Sequence, residues 1–86
     1  MDTVNTENGL RSYLRTLARR RDSGVVTADD AHTYLTRQGL SERNIGIRLS
    51  MINRVLREPN FYPVGLTASR RPAARYRQIA EWQFNG

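Results

Sequence analysis

Apolar positions recur with helical spacing over three stretches and change to a strand-like pattern in the last third of the chain. Leu10, Leu14, Leu17 and Ala18 stand at i, i+4, i+7 and i+8, with Tyr13 widening the stripe, and predict a first helix over about residues 6–21. Glu7 is expected in its first turn and Arg19, Arg20 and Arg21 in its last, both favourable to the helix dipole. Gly24 follows as a left-handed stop. Val25-Val26 is β-branched and too short for a helix, which predicts a short strand. Thr27 is then an N-cap, Asp29 and Asp30 occupy the positive first turn, and a second helix spans about 28–38. Ala31, Tyr34 and Leu35 face inward, and Gly39 caps the end. After a tight turn at Leu40-Ser41, with Ser41 as N-cap, Ile45, Leu49, Ile52 and Leu56 recur at i, i+4, i+7 and i+11. This seam predicts a third helix over about 42–57, with all four residues in the core and Pro59 enforcing the end.

Beyond Pro59 the pattern becomes aromatic and branched. Phe61-Tyr62-Pro63-Val64-Gly65-Leu66 reads as an edge strand, because Pro63 cannot donate to a ladder. A polar loop over 67–72 follows, and the stretch from Ala73 to about Ile79 is expected to return as the second strand of a hairpin. Tyr76, Ile79 and Ala80 also fit a helical stripe, so a last helix is the alternative. Trp82 and Phe84 are expected to pack back on the body, since an exposed aromatic tail is costly for so small a domain.

Eighty-six residues allow one domain, expected over 1–86, with a modest core and no room for a two-domain cleft. No apolar run approaches the roughly 18–20 residues of a membrane span. The acidic, polar start Met1-Asp2-Thr3-Val4-Asn5-Thr6-Glu7-Asn8 is not expected to be a signal or transit peptide. The absence of cysteine removes disulfides, thiolate metal sites and a thiol nucleophile, and the expected compartment is the cytoplasm.

Charge changes the picture most. Fourteen arginines and no lysine stand against eight acids, giving +6. Residues 1–42 hold six arginines and six acids, whereas residues 43–86 hold eight arginines against Glu58 and Glu81. The whole excess therefore lies in the second half, a footprint of a polyanionic partner.

The order helix, short strand (Val25-Val26), helix, Gly39-Leu40-Ser41 turn, helix, then a hairpin over about 61–79 with Arg70 and Arg71 at its tip resembles the winged helix-turn-helix domain. The resemblance covers Val25 to about Ile79 and is architectural. It implies an α+β fold: a three-helix bundle with a small β-hairpin wing, edged by Val25-Val26. It departs from the repressor type, where the recognition helix often carries branched apolar residues three apart. Here Ile45 is followed by Arg48, and its apolar partner is Leu49.

Catalytic chemistry has little to stand on. His32 is a lone histidine, read as a helix-surface or packing residue, and no set of His, Cys and carboxylates suggests a metal. Asp29 and Asp30 are explained by the first turn they occupy, and Gly46 and Gly65 form no phosphate loop. No catalysis, cofactor or metal is expected.

The basic residues are the positive signal. At 100° per residue from Ile45, the arc of about 100–200° holds Gly46, Arg57, Ser50, Arg43, Arg54 and Ile47, with no acid. Arginine reaches guanine O6 and N7 bidentately, and small residues permit close approach to base edges. Arg48 and Asn44 flank the seam and are expected to reach phosphates. Arg70, Arg71, Thr67 and Ser69 are expected to contact the backbone from the wing. Arg75 and Arg77 alternate with Tyr76, so both should share one face of a strand.

The expected function is a small DNA-binding regulator or accessory factor for double-stranded DNA, with the third helix in the major groove. With no ligand-receiving domain it would bind constitutively, answer to a protein partner, or form a homodimer. The alternative is a winged-helix protein-interaction module, for which exposed Ile47 and Met51 and the aromatic Trp82 and Phe84 would suit.

Overall fold

The computed structural model describes residues 3–85; Met1, Asp2 and Gly86, the ends of the expected domain, lie outside the described residues. The chain runs α1 (Thr3–Arg20), β1 (Val25–Thr27), α2 (Ala28–Arg37), α3 (Ile45–Leu56), β2 (Phe61–Ala68) and β3 (Gln78–Phe84). Short 3-10 turns precede α3 at Glu42–Asn44 and precede β3 at Pro72–Ala74. These elements make an α+β fold of three helices and a three-stranded antiparallel sheet.

Leu10, Leu14 and Ala18 of α1 are buried, with Leu17 and Tyr13 packed beside them, as their spacing requires. Each fully buried leucine contributes roughly 1.5–3 kcal/mol. The helix begins earlier than expected, at Thr3, so Glu7 lies beyond its first turn. Its carboxylate instead pairs with Arg54 of α3, at 2.6 Å to the Nη2 nitrogen. Gly24 and Gly39 take φ of +67° and +84° and reverse the chain after α1 and α2, a region where a side chain is strained.

The Thr27 N–H donates to the Asp30 carboxylate at 2.9 Å, closing the start of α2. The same carboxylate receives both Arg21 Nη groups at 2.8 Å, so one acid clamps the end of α1 to the start of α2. Ala31 and Leu35 are buried and Tyr34 stacks on Tyr13 at 4.9 Å, joining α2 to α1.

The expected seam of α3 is half right. Ile52 and Leu56 are buried, but Ile45 is 39% and Leu49 46% exposed, and the buried set is Arg48, Met51, Ile52, Val55 and Leu56. The physical reason lies in the C-terminal half. Residues 51, 52, 55 and 56 all face the core, and one turn back from both 51 and 52 falls on residue 48. The helix is thereby rotated toward Arg48, and Ile45 and Leu49 are carried outward.

Strand β3 lies in the middle of the sheet, which has the order β1-β3-β2. Val26 faces Trp82 and Phe61 faces Phe84 across the ladders. Val25-Val26 is thus a strand that edges the hairpin, as expected. The return strand begins at Gln78 rather than near Ala73, and no final helix forms: the segment holding Trp82 and Phe84 is strand. Strand β2 lies at an edge with Pro63 in it, and Val64 is the extra residue of a bulge between Pro63 and Gly65. Phe61 is buried in the core, residues 62–66 are exposed, and the strand's far end returns to the body at the buried Ser69.

Candidate nucleic-acid interface

With Arg48, Met51, Ile52, Val55 and Leu56 turned inward, the outer strip of α3 carries Gly46, Ser50 and Asn53, all exposed. Arg57, just past its end, and Asn44 and Arg43, in the turn before it, are exposed too. Arg43 and Arg57 have no carboxylate partner among the described residues. Ile47, Ile45 and Leu49 are also exposed and border this strip. Met51 is buried and Trp82 and Phe84 are partly buried against the core, so the apolar surface differs from the one expected for a protein-docking role.

Nothing packs where a Gly46 side chain would project, and its backbone needs no glycine. Glycine costs a helix up to about 1 kcal/mol relative to alanine. The fold alone gives no reason for this residue.

The acid-free arc read from the helix does not survive folding. Arg54 is exposed but holds Glu7 through Nε at 2.7 Å and Nη2 at 2.6 Å.

Arg48, expected to reach phosphates, is fully buried. Its Nη1 donates to His32 Nδ1 at 3.2 Å and Nη2 to Thr36 Oγ1 at 2.9 Å, and Nη2 also donates to the Leu40 carbonyl. Glu42 sits 3.4 Å from Nη1, leaving only Nε without an acceptor. A buried guanidinium requires such partners, so Arg48 is a strut between α2, the Leu40 turn and α3. His32, which shares its burial, belongs to this strut.

Burial, followed by the charges of Arg71 and Arg48, pushes the His32 imidazole down to about 4 from the ordinary 6.5. Its Nδ1 accepts from Arg48, so the neutral ring carries its proton on Nε2. Because the folded value lies below the unfolded one, protonation favours the unfolded chain. The His32 contribution is complete above about pH 6.5 and is lost toward pH 4, by up to about 1.4 kcal/mol per pH unit. Urea melts over this range should therefore show an acid destabilisation that is shallower in His32→Gln; equal slopes would contradict the assignment.

The β2–β3 loop is anchored at its base. Ser69 Oγ donates to Asp29 Oδ1 and the Arg70 N–H to Asp29 Oδ2, both at 2.7 Å. Arg71 Nη2 pairs with Glu42 at 3.0 Å, which ties the loop to the turn preceding α3. Partial desolvation alone would raise the Glu42 carboxyl, but hydrogen bonding and charge from Arg71, then charge from Arg48, hold it below its ordinary value. Arg71 is thus a held side chain rather than a free one.

Arg70, Arg75 and Arg77 are exposed and have no carboxylate partner among the described residues. Arg75 and Arg77 do not share a strand face. Arg75 and Tyr76 take φ of 50° and 59° after the Pro72–Ala74 turn, and pairing resumes only at Gln78.

Asp29, Thr36, Glu42 and the Leu40 carbonyl were not candidates from the sequence. Asp29 offered only its helix-start role, and its contacts at Ser69 and Arg70 lie 40 and 41 residues away.

Among the described residues no cluster of three ligating side chains suits a metal ion, and no helix is long and apolar enough to cross a membrane. Comparison with protein-family models, curated proteins and solved structures gives no match.

Proposed function

We propose that this chain is a non-catalytic DNA-binding protein of winged helix-turn-helix layout, with α3 in the major groove and the β2–β3 loop on the adjacent backbone. The observation that carries the reading is a group of five exposed arginines at α3 and the loop that have no carboxylate partner among the described residues. Arg43 and Arg57 flank α3, Arg70, Arg75 and Arg77 lie in the loop, and the Arg71–Glu42 pair joins the two regions. The element order and the strand order β1-β3-β2 agree with the layout.

In this reading Arg43 and Arg57 address guanine edges or phosphates, Asn44 and Ser50 add hydrogen bonds, and Ile47 meets a thymine methyl. The loop arginines hold phosphates and set register. Gly46 lets the helix backbone approach the groove floor. A helix fits the B-form major groove, whereas the A-form groove of double-stranded RNA is too narrow for side-chain readout.

A second reading has its own observation. Ile45, Ile47 and Leu49 of α3 and Val64 and Leu66 of β2 are exposed apolar side chains, which suit a protein-interaction module.

Titration of duplex DNA with the parent and with Gly46→Leu, at about 50 and 200 mM salt, separates the two readings. DNA binding by several phosphate contacts falls steeply, with a logarithmic slope of about 0.9 per contact. Gly46→Leu should melt at or above the parent temperature, because it removes a helix glycine, and bind more weakly. A shallow slope, or no binding, would favour the protein-interaction module.

A further inference from the structure

Two adjacent residues at the tip of the β2–β3 loop hold a backbone conformation that side chains rarely adopt: Arg75 with φ 50° and Tyr76 with φ 59°. Glycine would take both positions without strain. The fold draws no visible return from these side chains. Tyr76 is 72% exposed, the most exposed large apolar side chain among the described residues, and neither of their ring pairs includes it. Arg75 and Arg77, on either side, have no carboxylate partner among the described residues. Strain held at an exposed, unpacked position points to use by a ligand.

The tip is also stiffly mounted. Ser69 N–H donates to the Arg77 carbonyl at 2.7 Å and Arg77 N–H to the Ala74 carbonyl at 2.9 Å, closing the loop. Asp29 fixes its base to α2. The aromatic ring is therefore presented on a braced support, with an arginine on either side of it along the chain.

We propose that Tyr76 stacks on an unpaired nucleobase while Arg75 and Arg77 hold the neighbouring phosphates, so that the protein prefers duplex DNA interrupted by an unpaired base. The inference rests on the DNA-binding reading. In an uninterrupted duplex the base faces are covered by their neighbours, and a braced tip contributes only its charge. Where the stack is broken, a base face is open to an aromatic ring, and the flanking arginines compensate the backbone charge.

Anisotropy titrations with one labelled duplex, and with the same duplex carrying a short bulge of unpaired bases, test this. A base–aromatic stack corresponds to roughly 5- to 150-fold in affinity. The parent should prefer the bulged duplex by a factor in that range. Tyr76→Phe should keep the preference, because stacking needs the ring and not the hydroxyl. Tyr76→Ala should abolish it while leaving affinity for the uninterrupted duplex within about 2-fold. Equal binding of both duplexes by the parent overturns the proposal and leaves the DNA-binding reading standing, as does an equal loss on both in Tyr76→Ala. A preference that survives in Tyr76→Ala also overturns it. Failure of the parent to bind either duplex overturns both readings.

Discussion

Arg48→Ala should cost this domain about 3–5 kcal/mol, from orphaned buried acceptors and the cavity it leaves. The Leu40 carbonyl, Thr36 hydroxyl and His32 Nδ1 would each lose the donor they have in the fold. The side chain is fully buried, so truncation also opens space in the core. For a domain of this size the loss corresponds to a fall in Tm of about 12–40 °C. Arg48→Met restores much of the volume without the donors and should fall between parent and Ala, since each orphaned buried acceptor costs about 1–3 kcal/mol. Leu49→Ala is the control. Leu49 is 46% exposed, and its truncation should change stability by no more than about 0.5–1 kcal/mol. Thermal melts of the three variants decide the phase of α3. A larger loss in Leu49→Ala than in Arg48→Ala would restore the Ile45/Leu49/Ile52/Leu56 seam and turn Arg48 outward.

That comparison marks where the sequence is legible and where it is not. Gly24, Gly39 and Pro59 act through local backbone restrictions, so the succession of elements could be read from them, and the Val25-Val26 strand with them. The rotation of α3 could not. Seven of its twelve residues are apolar (Ile45, Ile47, Leu49, Met51, Ile52, Val55 and Leu56), and they lie on more than one side of the helix. Periodicity then offers more than one stripe, and packing against α1 and α2 selects among them. A buried arginine is a poor guess from composition, because its desolvation is tolerable only where partners converge, here from α2 and the Leu40 turn.

The hairpin shows the same division. Pro63 identified an edge strand, but the left-handed pair at Arg75 and Tyr76 has no glycine to announce it. The return strand accordingly starts later than its residue pattern suggests.

Charge was legible in amount and not in placement. Folding brings Glu7 from α1 to Arg54, Glu42 to Arg48 and Arg71, and Glu58 back to Arg11 and Arg15. Glu7 and Glu42 offset part of the second half's excess while Glu58 is drawn the other way, and of the three arginines on the α3 arc only Arg43 and Arg57 are left without a carboxylate among the described residues. Arg54 and Arg71 must first release an acid before they can serve a phosphate. Arg43 and Arg57 have no such competitor among the described residues.

This difference sets the size of the expected effects on DNA binding. Arg43 and Arg57 replaced together by Ala should leave the fold intact, since both are exposed and neither joins the Arg48 network. A base-reading arginine contributes roughly 1–3 kcal/mol, so the pair should weaken a preferred duplex by at least about 5-fold and up to about 20,000-fold if both read bases. Arg75 and Arg77 replaced together by Ala should instead weaken preferred and random uninterrupted duplexes alike, and lower the salt slope by up to about 2. Arg54→Ala should matter least, because Glu7 already occupies its guanidinium. Glu7→Gln should act in the opposite sense, freeing Arg54 and removing a negative charge beside α3, and should tighten binding a few-fold at low salt by a Coulomb contribution of about 1 kcal/mol. Unchanged affinity after loss of both Arg43 and Arg57 would reject α3 as the reading element. Weaker binding in Glu7→Gln would mean that the Arg54–Glu7 pair is needed to hold α3 in place, so that its role is structural.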